Sequence, residues 1–142
     1  MQRIEIYDRD EAGALAPDLG MLLRLVEKYQ SLRWYLVELE AIGQLRGPEN
    51  MLELEKHIAS SPWGIEFDWD TLNALAKQIT QVINMTLAGC RRDQDPPSKP
   101  LRSADVEVVI KVVDSTFCVV STRDPELVSL AQRRFSNTKL IS

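Results

Sequence analysis

One histidine, two cysteines and six glycines stand in 142 residues, and each scarcity closes a branch of chemistry. A zinc site needs about four N, S or O ligands at motif spacing. His57 is alone, and Cys90 and Cys118 lie far apart with no ligand beside them. No metal site is predicted, and EF-hand spacing is absent as well. The glycines are scattered; neither G-x-G-x-x-G nor G-x-x-x-x-G-K occurs, so no phosphate-cradling loop and no cofactor is predicted. G-x-S-x-G is missing too, and a serine triad would have to recruit His57, which has no marked companion. No catalytic residue is therefore assigned. No apolar run approaches the ~20 residues of a membrane helix. The start, MQRIEIYDRDE, lacks the apolar core of a signal peptide. These absences point to a cytoplasmic, bacterial-type protein with reduced thiols and no membrane contact.

What is present is a soluble composition: 44% hydrophobic and 27% charged residues, enough for a core without staples. The reading is one domain over residues 1–142. The net charge of −4 is uneven, with 14 acids against 7 bases in residues 1–70 and 7 against 10 in residues 71–142. An acidic chain is a poor duplex nucleic-acid binder, whose affinity rests on phosphate neutralisation. A protein with a basic surface would be drawn to the acidic half.

Periodicity predicts an α+β fold: a small, mainly antiparallel sheet packed with three to five helices. Ile4 and Ile6 alternate as a strand. Asp8 or Asp10 is placed to cap a helical turn over Glu11–Leu15. Asp18 opens a helix ending near Gln30, and a strand follows over Arg33–Ala41; the alternative is one long helix whose stripe continues through Leu36 and Leu39 to a stop at Gly43. Gly47-Pro48 starts a further helix, with Pro48 in its first turn; it carries a stripe of Met51, Leu52, Leu54, Glu55 and Ile58 and stops at Ser60-Ser61-Pro62. Residues 71–88 read as the strongest helix, with Leu72, Leu75, Ile79, Val82, Ile83 and Leu87 at helical spacing and Gly89 as its stop. Residues 91–104, with three prolines, read as an exposed loop. Val106–Val113 and Thr116–Ser121 form a hairpin about Asp114-Ser115, the core of the sheet. With a two-residue turn, Val112 faces Phe117 and Ile110 faces Val119; a register slipped by one is the alternative, because Asp-Ser is a weaker turn signal than Asp-Gly. Asp124-Pro125 starts a last helix, with Leu127, Leu130, Ala131 and Phe135 inward.

The stretch SSPWGIEFDWD, residues 60–70, concentrates aromatics and acids. Asp70 or Asp68 suits the cap of the helix behind it, and Trp69 a hydrophobic staple. The plain alternative is that the rings roof the core. Read as an exposed loop, Trp63, Glu66, Phe67, Asp68 and Trp69 form a partner-binding set, in which rings anchor and acids steer a basic partner. The expected function is that of a non-enzymatic acidic protein that binds another protein, like an inhibitor or immunity-type protein. A second reading is a small-ligand or enzymatic domain with a pocket between sheet and helices, with Cys118, Lys111 and Glu66 as first candidates; in the two-residue register Cys118 lies opposite Lys111. A third is a homo-oligomer joined through the hairpin edge.

Overall fold

The computed structural model describes residues 1–91 and 106–141. The proline-rich stretch expected as a loop lies, but for Arg91, outside the described residues. Seven strands form one antiparallel sheet: β1 (Gln2–Ile6), β2 (Arg33–Gly43), β3 (Ile65–Phe67), β4 (Ile79–Cys90), β5 (Val106–Val113), β6 (Phe117–Thr122) and β7 (Thr138–Ile141). Their spatial order is β3-β2-β4-β5-β6-β1-β7. Four helices, α1 (Leu19–Leu25), α2 (Met51–Ser60), α3 (Trp69–Gln78) and α4 (Pro125–Arg134), complete the α+β architecture. The hairpin strand β5 is the middle strand of the seven, so the hairpin does sit at the centre of the sheet.

Cross-strand partners share a face, so the registers sort the side chains. Ile65, Leu36, Leu87, Ile110, Val120, Ile4 and Leu140 form one apolar row across all seven strands. The buried residues of all four helices join this face in a single core. The next row belongs to the opposite face and alternates in chemistry: Glu38, Thr86, Lys111, Val119, Glu5 and Lys139. A smaller cluster of Tyr35, Cys90, Val106 and Val109 is separate from the main core, and Tyr7 stacks on Phe117 with centroids 5.3 Å apart.

Trp34 is the largest fully buried side chain. Its partner in register is Gly89, and a Cβ there would come within 2.9 Å of the indole ring. The ring occupies the space that any larger residue would fill. Its Nε1 donates to the Tyr29 carbonyl at 3.2 Å, and Trp69 lies 5.9 Å away, ring to ring. One side chain thereby joins β2, β4, α3 and the corner before β2.

The largest departure from expectation is the predicted helix over 71–88. The helix ends at Gln78, and β4 begins at the next residue. Ile79, Thr80, Val82, Ile83 and Thr86 are β-branched and stiff at χ1, which favours the pleated backbone. Apolar residues at 79, 82 and 83 satisfied a helical period by coincidence, and Met85 to Cys90 are all buried because an interior strand is covered on both faces. Gly89 makes room for Trp34 rather than stopping a helix.

Smaller corrections have local causes. Asp114 and Ser115 both adopt positive φ, and Thr116 is a third turn residue, so Val113 pairs with Phe117 and Val112 with Cys118. This is the slipped register; Cys118 and Val120 point to the core, while Phe117 and Val119 do not. Glu11–Leu15 is a turn and not a helix: Asp10 accepts from Ala12 N and Ala14 N at 2.9 and 3.0 Å. Asn50, not Pro48, opens α2 by accepting from Glu53 N at 2.8 Å, and Leu52 is exposed. The hairpin strands are both interior, so the self-assembly route through their edge is closed; the sheet's edges are β3 and β7. Among the described residues no helix is long and apolar enough to cross a membrane.

Two glycines with nearly equal φ give a clean test. A Cβ added at Gly13 (φ +83°) would meet nothing within 4 Å, whereas at Gly64 (φ +80°) it would collide with the Leu36 carbonyl group. Gly13→Ala is expected to cost about 1–2 kcal/mol, the conformational term alone. Gly64→Ala should cost clearly more, by displacing β3 from β2, as read from urea unfolding midpoints.

Candidate functional site

The predicted binding stretch begins in a turn and runs through β3 into the first turns of α3. Gly64 brings the chain hard against the backbone of Leu36 and Val37, and the next three residues pair with β2. Strand alternation then divides the stretch. Ile65 and Phe67, opposite Leu36 and Trp34, face the helices, while Glu66, opposite Tyr35, faces the other way.

Each acid has a local partner or position. Glu66 accepts from Arg33 Nε at 3.3 Å and from the Tyr35 hydroxyl at 3.4 Å. Burial, and then the Glu66 charge, raise the Tyr35 pKa. Asp68 is the N-cap of α3, accepting from Thr71 N at 2.8 Å, and the bonds from Thr71 hold its carboxyl below the ordinary value. Asp70 lies in the first turn of α3, where a negative charge suits the helix dipole. The rings divide as well. Trp69 is half-buried on Trp34, Phe67 is half-buried, and Trp63 is 39% exposed. Trp63, Glu66, Asp68 and Asp70 thus reach solvent around β3, while Phe67 and Trp69 reach inward.

Phe67 and Ile65 floor a feature that the sequence did not reveal. An open groove of about 350 Å³ runs over β3 between α2 and α3, with Leu54, Leu75 and Leu45 completing its apolar lining. At its rim His57 Nδ1 stands 3.6 Å from Glu49 Oε1. Gln78 accepts from Arg46 N at 2.5 Å and so fastens the β2–α2 loop to the end of α3. The lining comes from four separate segments: the β2–α2 loop, α2, β3 and α3. The only sequence signal was the alternation of Ile65 and Phe67 about Glu66.

Compared with known protein families, characterised proteins and solved structures, the chain matches none.

The residues of the enzymatic reading are not brought together. Cys118 is fully buried, between Val112 and Ile6 in register, and burial pushes its thiol up to about 12. Lys111 pairs with Thr86 and Val119 on the opposite face. Glu66 lies at the sheet edge, three strands from β5. Among the described residues no three His, Cys, Asp or Glu side chains gather as a metal-ligand set.

A second polar cluster ties α4 to the corner before β2. Asp124 caps α4, accepting from Glu126 N at 2.9 Å, and also accepts from the Tyr29 hydroxyl. Lys28 bridges to Glu126 at 2.7 Å. The Tyr29 bond, followed by that from Glu126 N, lowers the Asp124 pKa, and burial with the Asp124 bond raises that of Tyr29.

Two measurements check these assignments. Asp68 and Asp124 both have depressed pKa values in the fold. Their stabilisation is present above the ordinary carboxylate range and is lost as pH falls through the folded values. Asp68→Asn and Asp124→Asn should therefore flatten the acid limb of stability between about pH 5 and 2, followed by urea midpoints. Both cysteines are buried, so a thiol reagent at pH 8 should label the native chain only as fast as it unfolds. Labelling of Cys118 at the denatured-state rate would show that its packing is wrong.

Proposed function

We propose that the chain is a non-enzymatic protein that binds another protein through the β3 side of its sheet, in the manner of an inhibitor or immunity-type protein, and that its partner presents a basic surface. The observation that carries this reading is the open apolar groove floored by Ile65 and Phe67, in a stretch whose Trp63, Asp68 and Asp70 reach solvent, with Glu66 exposed on the other face of the same edge strand. An apolar recess built from the same stretch as an exposed indole and several acids supplies an anchor and a steering field together. A cytosolic setting fits two buried cysteines that form no disulfide with each other.

The steering field has a measurable consequence. Against a partner identified by cross-linking from position 63, association should slow on the order of tenfold between low salt and about 0.5 M salt. Trp63→Ala should chiefly speed dissociation, and Glu66→Gln with Asp70→Asn should chiefly slow association. A partner whose association ignores salt would remove the acidic surface from the mechanism.

The groove also supports a second reading, a small apolar ligand held between sheet and helices. Its volume lies at the lower end of ordinary ligand pockets. Phe67→Ala would discriminate, because it should abolish binding of an environment-sensitive apolar dye to a ligand pocket. Under the protein-binding reading the same variant should instead speed dissociation of the partner.

A further inference from the structure

The two edges of the sheet are treated differently. Beyond the three pairs made by β3, the outer side of β2 is met by α2, where Glu55 accepts from Ala41 N at 2.8 Å. A carboxylate there satisfies an edge donor and repels any strand that approaches. At the other edge β7 has no such guard among the described residues. Tyr7 N donates to the Asn137 carbonyl at 2.8 Å, and Glu5 and Arg3 pair with Lys139 and Ile141. Bonded pairs alternate in an antiparallel ladder, so Asn137, Lys139 and Ile141 turn their backbone groups to β1. Thr138 and Leu140 turn theirs outward. Leu140 is 44% exposed.

We propose that β7 takes up an extended acidic segment of a partner protein as an eighth, antiparallel strand. Such an addition uses the backbone groups of Thr138 and Leu140 for affinity and the flanking side chains for choice. Side chains of the incoming strand would stand opposite Lys139 and Ile141 on one face and opposite Leu140 on the other. Lys139 is exposed with Glu5 opposite it on the inner side, and the exposed Arg3 lies beside Ile141. An acid opposite Lys139 and apolar residues opposite Leu140 and Ile141 fit this edge. A second copy fits it less well. Self-pairing centred on Leu140 sets Lys139 against Ile141, and centred on Lys139 it sets lysine against lysine. Neither sets an acid on the outer side of Lys139.

The test uses the full chain and two capped heptapeptides of β-branched residues, one with a central glutamate and one with a central lysine. The glutamate peptide should slow amide hydrogen exchange at Thr138 and Leu140 and bind about fivefold tighter than its lysine twin. Lys139→Glu should reverse that order. Leu140→Pro removes an outward N–H without touching the β1 ladder, and proline is tolerated on an edge strand; it should keep the fold and weaken the peptide about tenfold or more. Equal binding of both peptides, no protection at either amide, or indifference to Leu140→Pro would overturn the proposal. So would protection that rises with the concentration of the chain alone, since the occupant would then be a second copy. None of these outcomes bears on the groove over β3, which lies at the far edge.

Discussion

The fold turns on the burial of one indole above a residue with no side chain. Trp34 can lie flat across β4 only because its partner in register is Gly89, and from there it meets Trp69 at the start of α3 and the Tyr29 carbonyl before β2. Deleting a buried aromatic of this size costs about 3–5 kcal/mol in most proteins, but its geometric role is larger than its area. The ring sets which residues of β4 face the helices, and a slip of one residue would put Ala88 or Cys90 beneath it. The whole row from Ile65 to Leu140 depends on that choice, because a one-residue slip sends every side chain to the other face.

Two clamps then close the sheet on the side away from Trp34. Asp8 accepts from Ser136 N and Asn137 N at 2.9 and 2.7 Å, holding the segment between α4 and β7. Its neighbour Arg9 donates to the carbonyls of Ser115 and Thr116 in the hairpin turn. Consecutive residues of opposite charge thus bind two distant turns to the end of β1. The Tyr29–Asp124 contact does similar work for α4. Long-range polar contacts of this kind order segments whose own hydrophobic share is small.

The sequence showed most of this architecture and little of the site. Strand β1 and the hairpin were visible because their alternation of Ile and Val has only one period, whereas Arg33–Ala41 fitted a helical stripe through Leu36 and Leu39 as well as the strand it forms. The α4 start was visible because Asp124-Pro125 combines a cap with a fixed φ. The 79–90 segment was not, because Ile79, Val82, Ile83 and Leu87 fit a helical stripe as well as a buried strand, and only β-branching separated them. The short strands β3 and β7 offer too few residues to show a period. The groove was invisible for a different reason: Leu45, Leu54, Ile65, Phe67 and Leu75 come from separate elements and meet only after folding. The aromatic-acidic stretch drew notice correctly as a cluster of unusual composition, but alternation through β3 sends Glu66 and Phe67 to opposite sides of the sheet.

The passage from α3 to β4 occurs without a connecting loop: Gln78 ends the helix and Ile79 begins the strand. One wall of the groove is therefore continuous with an interior strand of the sheet, with no slack between them. Tilting that helix to widen the recess would drag β4 along its ladders with β2 and β5. The cavity behaves as a cast rather than a jaw, and whatever enters it meets a shape already set, giving up its own freedom but asking none of the host.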